Sequence, residues 1–370
     1  MKGFGITLGG FEDVAQKEVK ELIGKDSKAN ECVIDFSIDD YEELCKLCYK
    51  SQSLFRVLLY LGECDIDKDF EETKKNVKKL LEGIELKEYF GETFKVFCER
   101  EGEQEFSSQD LAPFIGGLIQ DKTESKANMN NPDVRIYFYM FEDKGWLGID
   151  FAGFDLSKRD YKVFVNSRDI NPIVAYSLVR EAELNKNDVM LDPFCLSGSV
   201  AIEAALYLSN FSPNYYRKDA FAFQKLPFIE EFSLEKWDYE IENVKVYAYD
   251  ENMPNIRSAK KNAKIAGVNK MISFSRQNVE WLDTKFGEGE VTKIITQLPQ
   301  ISIKVDEKKI IGKYKELLYQ SDYILANDGV LCLLAKNPEI EELLENYKVV
   351  SEKNLIRGHE DYVLLNVTKA

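Results

Sequence analysis

Asp192-Pro-Phe-Cys-Leu-Ser-Gly-Ser199 is the stretch that decides how this chain is read. The apolar run Val189-Met-Leu191 precedes it, and Val200-Ala-Ile-Glu-Ala-Ala205 follows. That order spells strand, small-residue turn, helix start. Small residues let the main chain approach a ligand closely, and the first N–H groups of the helix then point at it. This is the cofactor corner of an open α/β sheet. Leu196 stands where a second small residue would be accommodated most easily.

Downstream, strands and helices alternate, as in a parallel sheet. The strands expected are Val189–Leu191, Val244–Tyr249, Ile272–Ser275, Lys293–Thr296 and Val330–Leu334. Helices are expected over Ser199–Leu208, Met253–Ala266 and Ile310–Ser321. Lys348-Val-Val and Tyr362–Val367 read as a terminal hairpin. Residues 209–243 are aromatic-rich and long for a connection, so they read as an insertion. Tyr215, Tyr216, Phe221 and Phe223 would pack it.

Upstream the pattern is α+β. Phe4–Leu8, Cys32–Phe36 and Leu54–Tyr60 read as strands, and Glu12–Ile23 and Tyr41–Gln52 as helices. Gly24 is placed to stop the first helix. A second group follows: an amphipathic helix over Asp69–Leu81, a strand Phe94–Cys98 and a helix Leu111–Thr123 capped by Ser107-Ser-Gln-Asp110. The extended pair Asn131–Met140 and Gly145–Phe151 closes it.

The chain has 370 residues, more than one typical core holds, so two or three domains are expected. No apolar run reaches the ~18 residues of a membrane helix, and the start does not read as a signal peptide. Seven cysteines scattered through apolar segments fit a reducing cytoplasm. Cys45 and Cys48 share a helical face with Leu44 and Leu47 and have no second ligand pair, so they read as core thiols and no metal site is expected. A net charge of −16 argues against a large nucleic-acid footprint and leaves room for a local basic patch or a protein partner.

The carboxyl ends of the expected strands carry Asp192 and the Ser197-Gly198 turn, then Asp250, then Gln277-Asn278, then Thr296-Gln-Leu-Pro-Gln300. Asp250 either holds two ribose hydroxyls or caps the next helix, and the Asn278 amide suits an adenine edge. A nucleoside-bearing cofactor fits this set. Asp192 reads as structural.

Taken together, these motifs resemble class I S-adenosyl-L-methionine-dependent RNA methyltransferases with a THUMP domain, and within them the tRNA guanine-N2 enzymes of the acceptor stem. The resemblance rests on Phe106-Ser-Ser-Gln-Asp110, Gly116-Gly117 and Asn131-Pro-Asp-Val-Arg135. It continues through Leu156-Ser-Lys-Arg-Asp-Tyr161, Asn171-Pro172, Asp192-Pro-Phe-Cys195 and Ile202-Glu-Ala-Ala205. Tyr216-Arg217, Phe221-Ala-Phe223, Asn262-Ala-x-x-Ala-Gly267 and Arg357-Gly-His359 complete it. It implies a Rossmann-like class I methyltransferase sheet behind an N-terminal α+β module. The boundaries expected are 1–64 for a ferredoxin-like unit, 65–155 for the RNA-binding THUMP domain, 156–170 for a linker and 171–370 for the methyltransferase domain.

The resemblance also implies roles. Asp192, Cys195, Ser197, Gly198, Asp250 and Asn278 would surround S-adenosyl-L-methionine, and Gln297-Leu298-Pro299-Gln300 would face the target amine. Lys126, Arg135, Lys158 and Arg159 would contact tRNA, with a solvated linker as the other reading of the last two. His359, the one histidine, reads as structural. The departures fall at the chemistry. The family's Cys-Gly-Ser-Gly is here Cys195-Leu196-Ser197-Gly198, and its Asn-Pro-Pro-Tyr or Asn-Leu-Pro-Tyr is Gln297-Leu298-Pro299-Gln300. Leu196 must move out, push the backbone back or occupy ligand space. Gln297 shifts an amide by one methylene, and Gln300 lacks the ring that stacks a flipped base. The expectation is a catalytically impaired or silent paralogue that binds RNA or a partner and forms no detectable N2-methylguanosine. The alternative is an active tRNA guanine-N2 methyltransferase.

Overall fold

The computed structural model describes residues 1–238, 244–300, 307–336, 338–357 and 360–370. Two compact units emerge. One comprises Met1–Thr7, Ala15–Leu156 and Asn214–Trp237, the other Leu8–Val14, Ser157–Pro213 and Asp238–Ala370.

The first unit is built on one eight-stranded sheet. Its elements are β1 (Lys2–Thr7), α1 (Glu12–Ile23), β2 (Ser27–Asn30), β3 (Val33–Ser37), α2 (Tyr41–Lys50) and β4 (Leu54–Asp65). Then come α3 (Phe70–Glu82), β5 (Thr93–Glu101), α4 (Ser108–Thr123), β6 (Lys126–Ala127), β7 (Val134–Phe141) and β8 (Lys144–Asp150). The strand order is β2-β3-β1-β4-β8-β7-β5-β6. β4 pairs with β1 on one side and β8 on the other, so the sheet runs unbroken past residue 64. The helices begin where short polar side chains satisfy open N–H groups. Asp40 accepts from Glu43 N and Asp69 from Glu72 N, while Asp110 accepts from the Ser107 N–H and hydroxyl. Cys45 and Cys48 are fully buried in the core among Leu44 and Leu47.

Residues 214–237 of the insertion belong to the first unit. The insertion's described part is a series of short 3-10 turns, and Phe221 and Phe223 are buried in the first unit's core. Tyr216 is 66% exposed and meets only the edge of the Tyr215 ring at 5.0 Å among the described rings. The short strands β2 and β6 escaped the sequence reading because four and two residues, mostly polar, show no alternation.

The second unit contains α5 (Pro172–Glu181), β9 (Val189–Asp192), α6 (Ser199–Ser209), β10 (Lys245–Asp250), α7 (Met253–Ala266) and β11 (Ile272–Arg276). β12 (Val291–Gln297), α8 (Glu307–Ile324), β13 (Leu325–Ala335), β14 (Tyr347–Arg357) and β15 (Glu360–Lys369) follow. The order is β11-β10-β9-β12-β13-β15-β14. The first five strands are parallel, and β15 and β14 are antiparallel. The chain leaves β9 toward β10 on one side and reaches β12 on the other, so the switch point of the sheet lies at β9. α5 was not foreseen as a helix. Nine of its ten residues are buried, which erases the amphipathic period.

Candidate active site

The turn after β9 has the backbone that the small-residue reading requires. Leu196 has φ +48° and Gly198 φ +91°. A Cβ on Gly198 would lie 2.9 Å from Ala259 Cβ, so glycine lets α6 start against α7. Leu196 takes a left-handed conformation that costs an L-residue roughly 1–2 kcal/mol. Leu196 lines the cleft, and its backbone takes the left-handed conformation that favours glycine.

Four carboxyl strand ends surround that cleft, an open volume of about 580 Å³. Phe194, Leu196 and Val279 give it apolar walls, and Asp250, Glu251 and Asn278 polar ones. Gln297 to Gln300 close the β12 side. Asp250 is 4% exposed, and its carboxylate accepts from Leu196 N (3.2 Å), Asn252 N (2.8 Å) and Asn255 Nδ2 (3.0 Å to each oxygen). It therefore ties the β9 turn to the start of α7 while bordering the cleft. Glu251 beside it is exposed and pairs with Lys313 at 2.7 Å. Asn278 accepts from Glu280 N at 3.4 Å.

Asp192 makes its hydrogen bonds within the protein. It is 1% exposed and accepts from Thr296 Oγ1 at 2.7 Å and Phe194 N at 3.3 Å. Burial pushes its pKa up to about 7, opposed by those hydrogen bonds and assisted by the charge of Asp250. Cys195 is buried, its N–H donates to Tyr249 O at 2.9 Å, and burial holds its thiol well above the ordinary range.

The segment between Ser157 and Asn171 forms a strap over the site, which residue types alone did not reveal. Arg159 and Tyr161 both reach Glu203 on α6, at 3.1 Å and 2.7 Å. Asn262 of α7 holds Phe164 N and O and also donates to Ser197 O, each at 3.0 Å. Asn166 donates to Asn255, and Asp169 accepts from Ser197 N (3.2 Å) and its hydroxyl. Gln297 Nε2 donates to Arg168 O at 3.0 Å. That bond fixes the amide plane and leaves Oε1 with no donor among the described residues. Leu298 is buried with its N–H on Leu334 O, and Pro299 O accepts from the Tyr314 hydroxyl. Gln300 donates to Tyr362 Oη at 3.5 Å.

The tRNA candidates divide between the units. Lys126 is exposed on β6. Arg135 on β7 lies beside Lys95 in register, and both cations sit over the Phe97 ring at 5.6 Å and 4.5 Å. Lys158 is exposed. Arg159 is not a surface residue: its side chain is fully buried with that of Glu203, and its guanidinium is spent on that carboxylate. His359 lies outside the described residues.

Residues 159–366 match the RMKL-like methyltransferase domain, and residues 67–150 match the THUMP domain. The chain belongs to the RMKL-like methyltransferase family. Its relatives there include the tRNA (guanine(6)-N2)-methyltransferase of Methanocaldococcus jannaschii, 28% identical over 94% of this chain and 95% of the relative. The enzyme of the same description from Archaeoglobus fulgidus is 30% identical over 84% of this chain and 76% of its own length. Among solved structures, SMU.472 complexed with SAH superposes with a TM-score of 0.82 at 18% identity, covering 100% of this chain and 98% of that one. TrmN from Thermus thermophilus does so with 0.72 at 19%, covering both chains fully. These likenesses establish a class I methyltransferase fold preceded by a THUMP domain. Among the described residues no helix is long and apolar enough to cross a membrane.

The cleft fits the cofactor of such a fold. β11 to β12 is three strand spacings, roughly 14 Å. Over that span the walls offer apolar surface, the Asn278 amide, the Asp250 and Glu251 carboxylates and Arg168 of the strap.

Proposed function

We propose that this protein binds S-adenosyl-L-methionine and methylates the exocyclic N2 amine of a guanine in tRNA, more slowly than a site with glycine at 196 would. The curated relatives named for that reaction run along most of this chain. The observation that carries the proposal is the Gln297 amide. Its Nε2 is committed to Arg168 O, so its Oε1 stays available at the cleft for an N–H donor. S-adenosyl-L-methionine, when bound, supplies an electrophilic methyl group. Gln297 Oε1 and a main-chain carbonyl of the 297–300 turn would accept hydrogen bonds from the amine and hold it in line. A guanine amine is a poor nucleophile, so positioning supplies much of the rate. Asp250 would act mainly by fixing the turn that meets the ribose. Ser197 and Gly198 keep that turn's backbone, and Cys195 anchors it from the core.

The silent reading is favoured by a different observation: a leucine stands at 196 in the lining of the cleft, and Gln300 offers no ring to a flipped base. One experiment separates the two. Unmodified tRNA is incubated with the pure protein and S-adenosyl-L-methionine, and its nucleosides are measured by mass spectrometry. Slow formation of N2-methylguanosine, faster in Leu196→Gly, is expected. Its absence in both proteins, with tRNA still bound, would leave the silent reading standing.

A further inference from the structure

We infer that Arg168 is the cation that receives the carboxylate of the cofactor's amino-acid part, with Gln297 as its positioning residue. The inference rests on the S-adenosyl-L-methionine reading above. Arg168 lines the cleft, is exposed, and its guanidinium makes no hydrogen bond or ion pair among the described residues. The other cation of the cleft, Lys313, is already paired with Glu251. Arg168 thus offers the open positive charge in a cleft that also holds Asp250 and Glu251.

Its place is set on three sides. Gln297 Nε2 holds its carbonyl at 3.0 Å, Asn166 Oδ1 accepts from its N–H at 3.0 Å, and the next residue, Asp169, is bound to Ser197. Those ties hold the Arg168 backbone between the β9 turn and the end of β12. The carboxylates and the Asn278 amide lie at the β10 and β11 end. A ligand with a nucleoside at one end and an amino acid at the other then meets carboxylates at its ribose and a guanidinium at its carboxylate. A guanidinium matches a carboxylate with two parallel N–H donors.

Calorimetry with two probes tests this. S-adenosylhomocysteine carries the amino-acid carboxylate, and 5′-methylthioadenosine lacks it. Arg168→Gln should weaken S-adenosylhomocysteine by about tenfold to a hundredfold, the range of a hydrogen bond to a charged group. It should leave 5′-methylthioadenosine unchanged, and Arg168→Lys should fall between. Equal weakening of both probes, or of neither, overturns the assignment and leaves the cofactor reading intact. Loss of tRNA affinity alone in Arg168→Gln also overturns it, since the charge would then serve RNA phosphate. Failure of the unaltered protein to bind either probe removes the cofactor reading itself, and the assignment with it.

Discussion

Leu196 holds a glycine's backbone with a leucine's side chain. The turn is kept by its neighbours: Asp250 accepts from Leu196 N, Asp169 grips Ser197, and Gly198 allows the approach of α7. Leu196→Gly therefore needs no new loop geometry. It should tighten S-adenosyl-L-methionine binding measured by calorimetry by about tenfold, roughly the worth of one or two methylene groups cleared from a close contact. Unchanged affinity would show that the side chain stands clear of the ligand. Asp192 gives a second prediction at this scale. Its folded pKa of about 7 lies above its ordinary 3.8, so the native state holds a proton that the unfolded chain releases first. Its contribution to stability is present below about pH 4 and is lost as pH rises toward 7. Asp192→Asn keeps an acceptor for Thr296 Oγ1 without the titration. In urea unfolding at a series of pH values, the variant should gain stability on the parent between those limits and hold a constant difference above them. A difference independent of pH would show that Asp192 does not titrate this way.

Among elements, the strap is joined to α6 by a buried ion pair. Two matched motifs, Leu156-Ser-Lys-Arg-Asp-Tyr161 and Ile202-Glu-Ala-Ala205, meet there, because Arg159 and Tyr161 share the Glu203 carboxylate. Arg159→Ala leaves that carboxylate buried without its ion pair. It should cost about 3–5 kcal/mol by urea denaturation. At a permissive temperature the tRNA salt dependence should not change, whereas a surface arginine on RNA would show the reverse. The sheets, the terminal hairpin and the β9 turn were legible in the sequence because apolar runs, glycines and caps carry local signals. Arg159 was misplaced because a buried ion pair leaves no periodic trace and an arginine in a linker looks solvated. Asp169 and Arg168 were invisible for a related reason. Their partners, Ser197 and Gln297, lie 28 and 129 residues away, and no spacing rule links them. The departures at 196, 297 and 300 were legible, but not what the backbone makes of them. Only coordinates reveal a positive φ at Leu196 or an amide committed to a carbonyl.

For the whole molecule, a net charge of −16 limits how many phosphates any surface neutralises. In the first unit Lys95, Lys126 and Arg135 gather at one end of β5, where Thr93 faces Lys126 and Lys95 faces Arg135 in register. Affinity for tRNA should fall with salt at a shallow slope, and Lys126→Ala and Arg135→Ala should each reduce that slope by about 0.7–0.9 in filter-binding titrations. A steep slope unaffected by either would place the contact elsewhere. The strap has one more consequence. Its middle, Val163-Phe164-Val165, is 60%, 37% and 63% exposed, yet anchors lie on both sides of it. A protease that cuts between Val163 and Val165 would sever the chain without releasing either stub. The clipped molecule would migrate as two bands after denaturation and as one particle before it. What it would lose is the covalent tie between the anchor on α6 and those on α7 and β12, so that a ligand seated against the cleft should act as the suture.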